Sequence, residues 1–189
     1  MKSLLDLVDN TRTDKNTVHS YLPLYQSVLS SKRDTARNVL EVGIYTGGSI
    51  KLWSEFFKNA TIYGIDVRDE SYFWDEIKNK ENIRLLTETD AYDQSVVKTH
   101  FLEKNIKFDF VLDDGPHSLE SQRKFIQLYL PLLEEDGILI IEDVQSTDWI
   151  DVLKNEVPQD LQKCIMIYDL RGNKGRYDDI VFTVNRAIR

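Results

Sequence analysis

Asp113-Asp114-Gly115-Pro116-His117 and Glu142-Asp143 hold the side chains of this sequence best suited to chemistry. Each set of acids closes an apolar run, Phe108 to Leu112 in one case and Ile138 to Ile141 in the other. If those runs are neighbouring strands, Asp114, Glu142 and Asp143 meet at one point. Three carboxylates that close repel one another and require raised pKa values, basic partners or a divalent cation. Neither motif contains Lys or Arg. A hard ion with oxygen ligands, such as Mg²⁺, is the expected resolution, and Mn²⁺ also fits this ligand set. His117 stands three residues after Asp114, on the turn into the next helix, within reach of a hydroxyl held beside the acids. Imidazole titrates near neutrality and can take that proton. The plainer role for His117 is a helix cap or a pair with Asp113.

Upstream, Asn38-Val39-Leu40-Glu41-Val42-Gly43 is an apolar run ending in an acid and a glycine. A turn, Ile44-Tyr45-Thr46-Gly47-Gly48-Ser49, leads into an amphipathic segment from Ile50 to Phe57. A second apolar run, Thr61 to Ile65, ends in Asp66. Strand, glycine turn, helix and strand with a terminal acid make a nucleoside-binding βαβ unit, in which the acid accepts ribose hydroxyls. The dinucleotide fingerprint G-x-G-x-x-G is absent, because Tyr45 stands two residues after Gly43. An acid ahead of the first glycine would repel a pyrophosphate and suits a cationic or amino-bearing ligand. S-adenosylmethionine carries both a sulfonium and an ammonium. The alternative is a βαβ unit whose glycines only make turns.

The elements that must position these residues follow from hydrophobic patterning. Strands are expected at Asn38–Gly43, Thr61–Asp66, Ile83–Leu86, Asp109–Asp113, Ile138–Glu142, Gln162–Tyr168 and Ile180–Asn185. Helical patterns separate the first six: Ile50–Phe57, Tyr72–Ile77, Gln94–Lys104, Leu119–Leu132 and Trp149–Asn155. Such alternation predicts an α/β fold, a mostly parallel seven-stranded sheet with helices on both faces. The segment from Asp169 to Asp179 has two glycines and no helical period, so the last strand is expected to return antiparallel. Ligands sit beyond the carboxyl ends of strands in such sheets. Five of these strands end in or near acids: Glu41, Asp66, Asp90, Asp113 with Asp114, and Glu142 with Asp143.

With 189 residues the chain is expected to form one domain, residues 1–189, with 1–35 a helical segment over the site. The net charge of −8 and the scattered basic residues disfavour nucleic acid as a partner. No apolar run reaches the length of a membrane span. The first residues, with acids inside a short apolar stretch, do not read as a signal peptide, and Cys164 stands alone, so a cytoplasmic setting is expected. Arg171 to Arg176 reads as a loop that is either solvated or touches an acidic group.

Taken together, Thr13-Asp14-Lys15, His19-x-Tyr21, Tyr25, the glycine motif, D-D-G-P-H, I-E-D-V and Gly175-Arg176-Tyr177-Asp178-Asp179 resemble a known family. They are similar to class I S-adenosylmethionine-dependent methyltransferases of the macrocin O-methyltransferase group, to which the cephalosporin 7-methoxylation proteins are related. The resemblance implies a Rossmann-like fold and methyl transfer to a sugar hydroxyl, with S-adenosylmethionine and Mg²⁺ as cofactors. It implies that Glu41, Gly43 and Asp66 bind the donor, with Asp90 near the adenine and Tyr45, Gly47, Ser49 and Asp113 in the same set. Asp114, Glu142 and Asp143 would hold the metal, and His117 would be the base. His19, Tyr21, Arg176 and Tyr177 are candidates for the acceptor pocket, and a homo-oligomer is compatible with the resemblance. Two rival functions remain: a scaffold that keeps the fold without turnover, and a nicotinamide-dependent oxidoreductase.

Overall fold

In the computed structural model, which describes residues 2–188, seven strands form one sheet. Two short helices come first, α1 (Leu4–Leu7) and α2 (Tyr21–Leu29). The remaining elements are β1 (Asn38–Val42), α3 (Gly48–Phe56), β2 (Thr61–Ile65), α4 (Asp75–Lys78), β3 (Ile83–Leu86), α5 (Gln94–Val97), β4 (Phe108–Asp113), α6 (Leu119–Tyr129), β5 (Leu133–Ile141), α7 (Trp149–Glu156), β6 (Ile165–Asp169), α8 (Arg171–Lys174) and β7 (Ile180–Asn185). Their spatial order is β3-β2-β1-β4-β5-β7-β6. Strands β1 to β5 pair in parallel, and β7 inserts antiparallel between β5 and β6. The sheet is therefore the expected one.

Both faces of the sheet are covered, which is why β1, β4 and β7 read as continuous apolar runs rather than alternating ones. Successive strand residues serve opposite faces. Val39, Phe110, Leu112, Ile138 and Ile140 join Trp53 and Phe56 of α3 in one core. Leu40, Val42, Val111, Leu139 and Ile141 join Phe125 and Tyr129 of α6 in the other. The start of α6 is fixed by Ser118, whose hydroxyl accepts from the Ser121 amide at 3.1 Å in a capping box.

Several boundaries differ from expectation. The helix expected over Gln94–Lys104 is α5 followed by a π-turn, Lys98–Leu102. The wider turn accompanies burial of Phe101, which meets Tyr63 and Phe108 edge-on at 5.7 and 5.2 Å. Tyr72 lies in a 3₁₀ turn ahead of α4 rather than in a continuous helix. β5 begins at Leu133, five residues early, with an exposed lead-in over Glu134 to Asp136. Gln162 to Cys164 lie in a 3₁₀ turn, so β6 starts at Ile165 and Cys164 is buried just before it. The loop after β6 contains the single turn α8, closed by Gly175 in the left-handed region. No described helix is long and apolar enough to cross a membrane.

The sheet's connections turn in opposite directions on either side of β1 and β4, which opens a crevice at their carboxyl ends. Gly43, at φ +85°, sits at its base. A Cβ there would lie 1.9 Å from the Asp114 carbonyl oxygen. The glycine thus serves an approach between the loops after β1 and β4, where sequence reasoning expected an approach to a ligand.

Candidate functional site

A cleft of about 1110 Å³ occupies that crevice. The turn after β1 contributes Gly43, Tyr45 and Ser49, the end of β2 contributes Asp66, and the loop after β3 contributes Asp90 and Tyr92. Asp114 and His117 form the opposite lip, and residues 10–14 with Thr17 supply a wall from the N-terminal segment. Asp66 accepts backbone N–H bonds from Ile44 at 2.7 Å, Tyr45 at 3.1 Å and Arg68 at 2.9 Å. Its carboxylate organises the glycine turn while lining the cleft. Three of the expected donor contacts lie elsewhere. Gly47 caps α3 at φ +97°, where a Cβ would lie 2.3 Å from the end of the Ile77 side chain. Asp113 is buried and accepts from the Tyr92 hydroxyl at 2.5 Å and the Gly115 amide at 3.3 Å. Burial pushes its carboxyl up to about 7, against the pull of those hydrogen bonds. Glu41 is fully buried below the cleft and takes the Trp53 indole N–H at 2.9 Å.

Beneath the cleft, the acids expected to need a metal already have a cation. Lys15, 1 % exposed, extends its ammonium to Asp114 Oδ2 at 2.6 Å, to Glu41 Oε1 at 3.4 Å and to Glu142 Oε1. The other oxygen of Glu142 accepts from the Tyr25 hydroxyl. Burial alone would depress the lysine's pKa, but Asp114, Glu142 and Glu41 together hold it well above its usual value. Burial and the neighbouring Asp114 raise the Glu142 pKa. The expectation that no base serves this cluster is corrected. The motifs contain none, but the loop before α2 delivers one from outside them.

Of the three presumptive metal ligands, Asp114 and Asp143 remain beside His117. The three offer ligand atoms within 4.8 Å of one another. His117 Nε2 lies 3.7 Å from Asp114 Oδ1 and 3.6 Å from Asp143 Oδ2, at the lip of the cleft and 28 % exposed. Glu142 is turned away to Lys15 and Tyr25. Both His117, at φ +54°, and Asp143, at φ +55°, are in the left-handed region, as is Tyr45 at φ +52°. Non-glycine residues held there carry strain that clusters at functional sites. The capping alternative for His117 fails, since Ser118 caps α6.

The acceptor candidates divide. His19 and Tyr21 are buried beneath the cleft, not on its surface. His19 Nδ1 lies 2.6 Å from Asp179 Oδ1, and the Tyr21 hydroxyl donates to Asp143 Oδ1 at 2.5 Å. Their rings stack at 4.9 Å, and Tyr21 continues the stack to Tyr25 at 5.8 Å. Arg176 pairs with Asp178 at 3.0 Å, Tyr177 is exposed, and neither lines the cleft. Sequence reasoning gave no role to Lys15 or to the Tyr92 clamp on Asp113. Three acids without a local base were the available sign that a distant cation was needed.

A family profile described as a methyltransferase domain matches residues 40–144. Demethylmacrocin O-methyltransferase of Streptomyces fradiae is 29 % identical over 140 residues, covering 70 % of this chain and 34 % of that protein. Mycinamicin VI 2''-O-methyltransferase of Micromonospora griseorubida is 26 % identical over 139 residues, covering 70 % of this chain and 33 % of that one. The chain thus spans about a third of the length of these curated relatives. Among solved structures, the MycE methyltransferase of the mycinamycin biosynthetic pathway, in complex with Mg and SAH, superposes with a TM-score of 0.75. It shares 22 % identity, and the match covers 97 % of this chain and 54 % of that chain.

Proposed function

This chain belongs to the methyltransferase domain family, and on that premise we propose that it is a metal-dependent, S-adenosylmethionine-dependent O-methyltransferase acting on a hydroxyl of a sugar or glycoside. One observation carries the reading: His117 stands at the lip of the cleft, 3.6 and 3.7 Å from two carboxylates. Across the cleft lie the glycine turn and Asp66, the acid suited to ribose hydroxyls.

The residues present fit both cofactors. The cleft has room for a nucleoside with an amino-acid tail, and Asp66 and Asp90 line it at the ends of β2 and β3. For the metal, Asp114 Oδ1 and Asp143 Oδ2 are oxygen donors of the kind Mg²⁺ or Mn²⁺ prefers, and Lys15 engages only the other oxygen of Asp114. Asp114 and Asp143 would hold the ion, and a bound divalent cation lowers the pKa of an adjacent hydroxyl. The chain's own part is positioning and proton transfer. The acceptor hydroxyl gives its proton to His117 Nε2, and its oxygen takes the methyl group. When bound, the donor would supply that methyl group and leave as a thioether, its sulfur keeping the electron pair of the broken C–S bond. A relative named 8-demethyl-8-alpha-L-rhamnosyl tetracenomycin-C 2'-O-methyltransferase, whose name carries a rhamnosyl group, supports a glycosidic acceptor.

The test is a melting series with S-adenosylhomocysteine, NAD and Mg²⁺, followed by transfer from labelled donor to a panel of glycosides with and without EDTA. S-adenosylhomocysteine should raise the melting temperature, since a ligand of the folded state stabilises by mass action. Transfer should stop in EDTA and return with Mg²⁺. Stabilisation by NAD but not by S-adenosylhomocysteine overturns the methyl-transfer reading, and full activity in excess EDTA overturns the metal.

A further inference from the structure

The late motif Gly175 to Asp179 is not used by this reading, and its two acids lie in an unusual place. Asp178 and Asp179 are 7 % and 0 % exposed and sit beside Asp143 and His19. All four residues are buried, and each offers a ligand atom within 4.8 Å of the others. Their hydrogen bonds leave two carboxylate oxygens over. Asp178 Oδ2 is taken by Arg176, and Asp179 Oδ1 by His19 and Tyr21. Asp178 Oδ1 and Asp179 Oδ2 are sealed from solvent with no partner. An unpartnered buried carboxylate oxygen is costly, and more so where three carboxylates gather. Lys15 does not relieve it, because its ammonium pairs with Glu41, Asp114 and Glu142. Among the described residues, the only basic groups within 4.0 Å of the Asp143 and Asp179 carboxylates are imidazoles.

We propose that His19, Asp143, Asp178 and Asp179 form a second divalent-cation site behind the first, with Asp143 shared between the two. Three carboxylates with one imidazole are the donor set of Mn²⁺ and its neighbours in the first transition row more than of Mg²⁺, which takes oxygen ligands. The ion's charge neutralises the two orphaned oxygens. It also fixes Asp143, whose left-handed backbone places one carboxylate beside both His19 and His117. The loop after β7's partner strand β6 is thereby tied to the floor of the cleft, which gives the buried acids of that motif a task.

Equilibrium dialysis against Mn²⁺, with the protein-bound metal counted, tests this on the EDTA-treated 189-residue chain. The wild type should hold two ions, Asp114→Asn one and Asp178→Asn one. Because Asp178→Asn could impair folding, His19→Gln is measured beside it, and each variant is confirmed folded by circular dichroism. Loss of one ion in both Asp178→Asn and His19→Gln, with the ion lost in Asp114→Asn being a different one, supports the site. The identity is read from a double variant, Asp114→Asn with Asp178→Asn, which should hold none. One ion in the wild type that Asp178→Asn and His19→Gln both retain overturns the second site and leaves the Asp114 site standing. One ion that Asp114→Asn retains and Asp178→Asn loses supports the second site and overturns the metal assignment made for the first.

Discussion

The β2 side and the β5 side of the crevice both present acids at strand ends, yet they hold them by different means. Asp66 is held by three backbone N–H groups, two from the glycine turn after β1 and one from Arg68 just beyond it. Glu142 is held by the Lys15 ammonium and the Tyr25 hydroxyl, both from the N-terminal segment. Backbone donors come with the fold and leave an acid in the cleft for a ligand. Side-chain donors from far away seal an acid beneath it and make it part of the core. The difference separates residues that recognise from residues that support, although all of them are carboxylates at the edge of one sheet.

The largest expected effect falls on the lip between the two sides. A positioned general base contributes ~10²–10⁴-fold to rate, so His117→Ala should lower kcat by that order while the melting temperature and donor affinity stay near wild type. A kcat close to wild type under saturating donor, acceptor and metal would end its assignment as the base. A large fall in melting temperature would instead move His117 to the supporting side.

Lys15→Met comes next. Removing one partner of a buried ionic cluster costs about 3–5 kcal/mol, and Lys15 serves three carboxylates. Denaturant unfolding should show a loss of that size. A loss of no more than a surface substitution would mean that the acids are not compensated by Lys15, and the contrast between the two sides would collapse. Asp66→Asn should weaken S-adenosylhomocysteine, since a hydrogen bond to a charged group is worth about 1.5–3 kcal/mol, and should also cost some stability, because an amide nitrogen cannot accept the backbone N–H bonds that both carboxylate oxygens take. Calorimetric titration measures the affinity, and an unchanged value would remove Asp66 from the recognising side.

The smallest effect lies outside the crevice and sharpens the comparison. Glu156 on α7 accepts from Gln127 at 2.7 Å and from Arg123 at 2.6 Å, which lower its pKa. A carboxyl depressed on folding adds stability above its unfolded pKa, near 4.3, and loses it as pH falls through the folded value. Glu156→Gln should therefore cost about 0.5 kcal/mol at neutral pH and flatten the acid limb of the stability profile. The buried Asp113 and Glu142 are raised rather than lowered, so a pH titration of unfolding distinguishes the two kinds of acid. An unaltered acid limb in Glu156→Gln would show that the pair contributes nothing.

The sheet was legible because parallel strands buried on both faces announce themselves as apolar runs, and because acids at their ends mark one edge. The antiparallel return of β7 followed from a connection with two glycines and no helical period. The π-turn at Lys98 was not legible, since the local change of winding that accompanies burial of Phe101 is not encoded in periodicity. At the site, His117 and Asp114 came from short motifs whose geometry is local. Lys15 could not be placed in that way. It sits in a polar loop, and its partners lie on three separate strand ends. Gly43 lines the cleft as expected, and its lack of a side chain also serves a close approach to the Asp114 carbonyl that the sequence did not announce.

The reach of Lys15 has a consequence for motion. Its ammonium joins the loop before α2 to strand ends 99 and 127 residues further along. The loop is closed on itself by the His19 amide to Asp14 and the Tyr21 amide to Lys15, each at 3.0 Å. Swinging that wall away would leave carboxylates of β1, β4 and β5 uncovered at once. Amides from about Val18 to Tyr21 should therefore exchange their hydrogens together with the central strands, as one cooperative unit, rather than early and independently like the end of a chain.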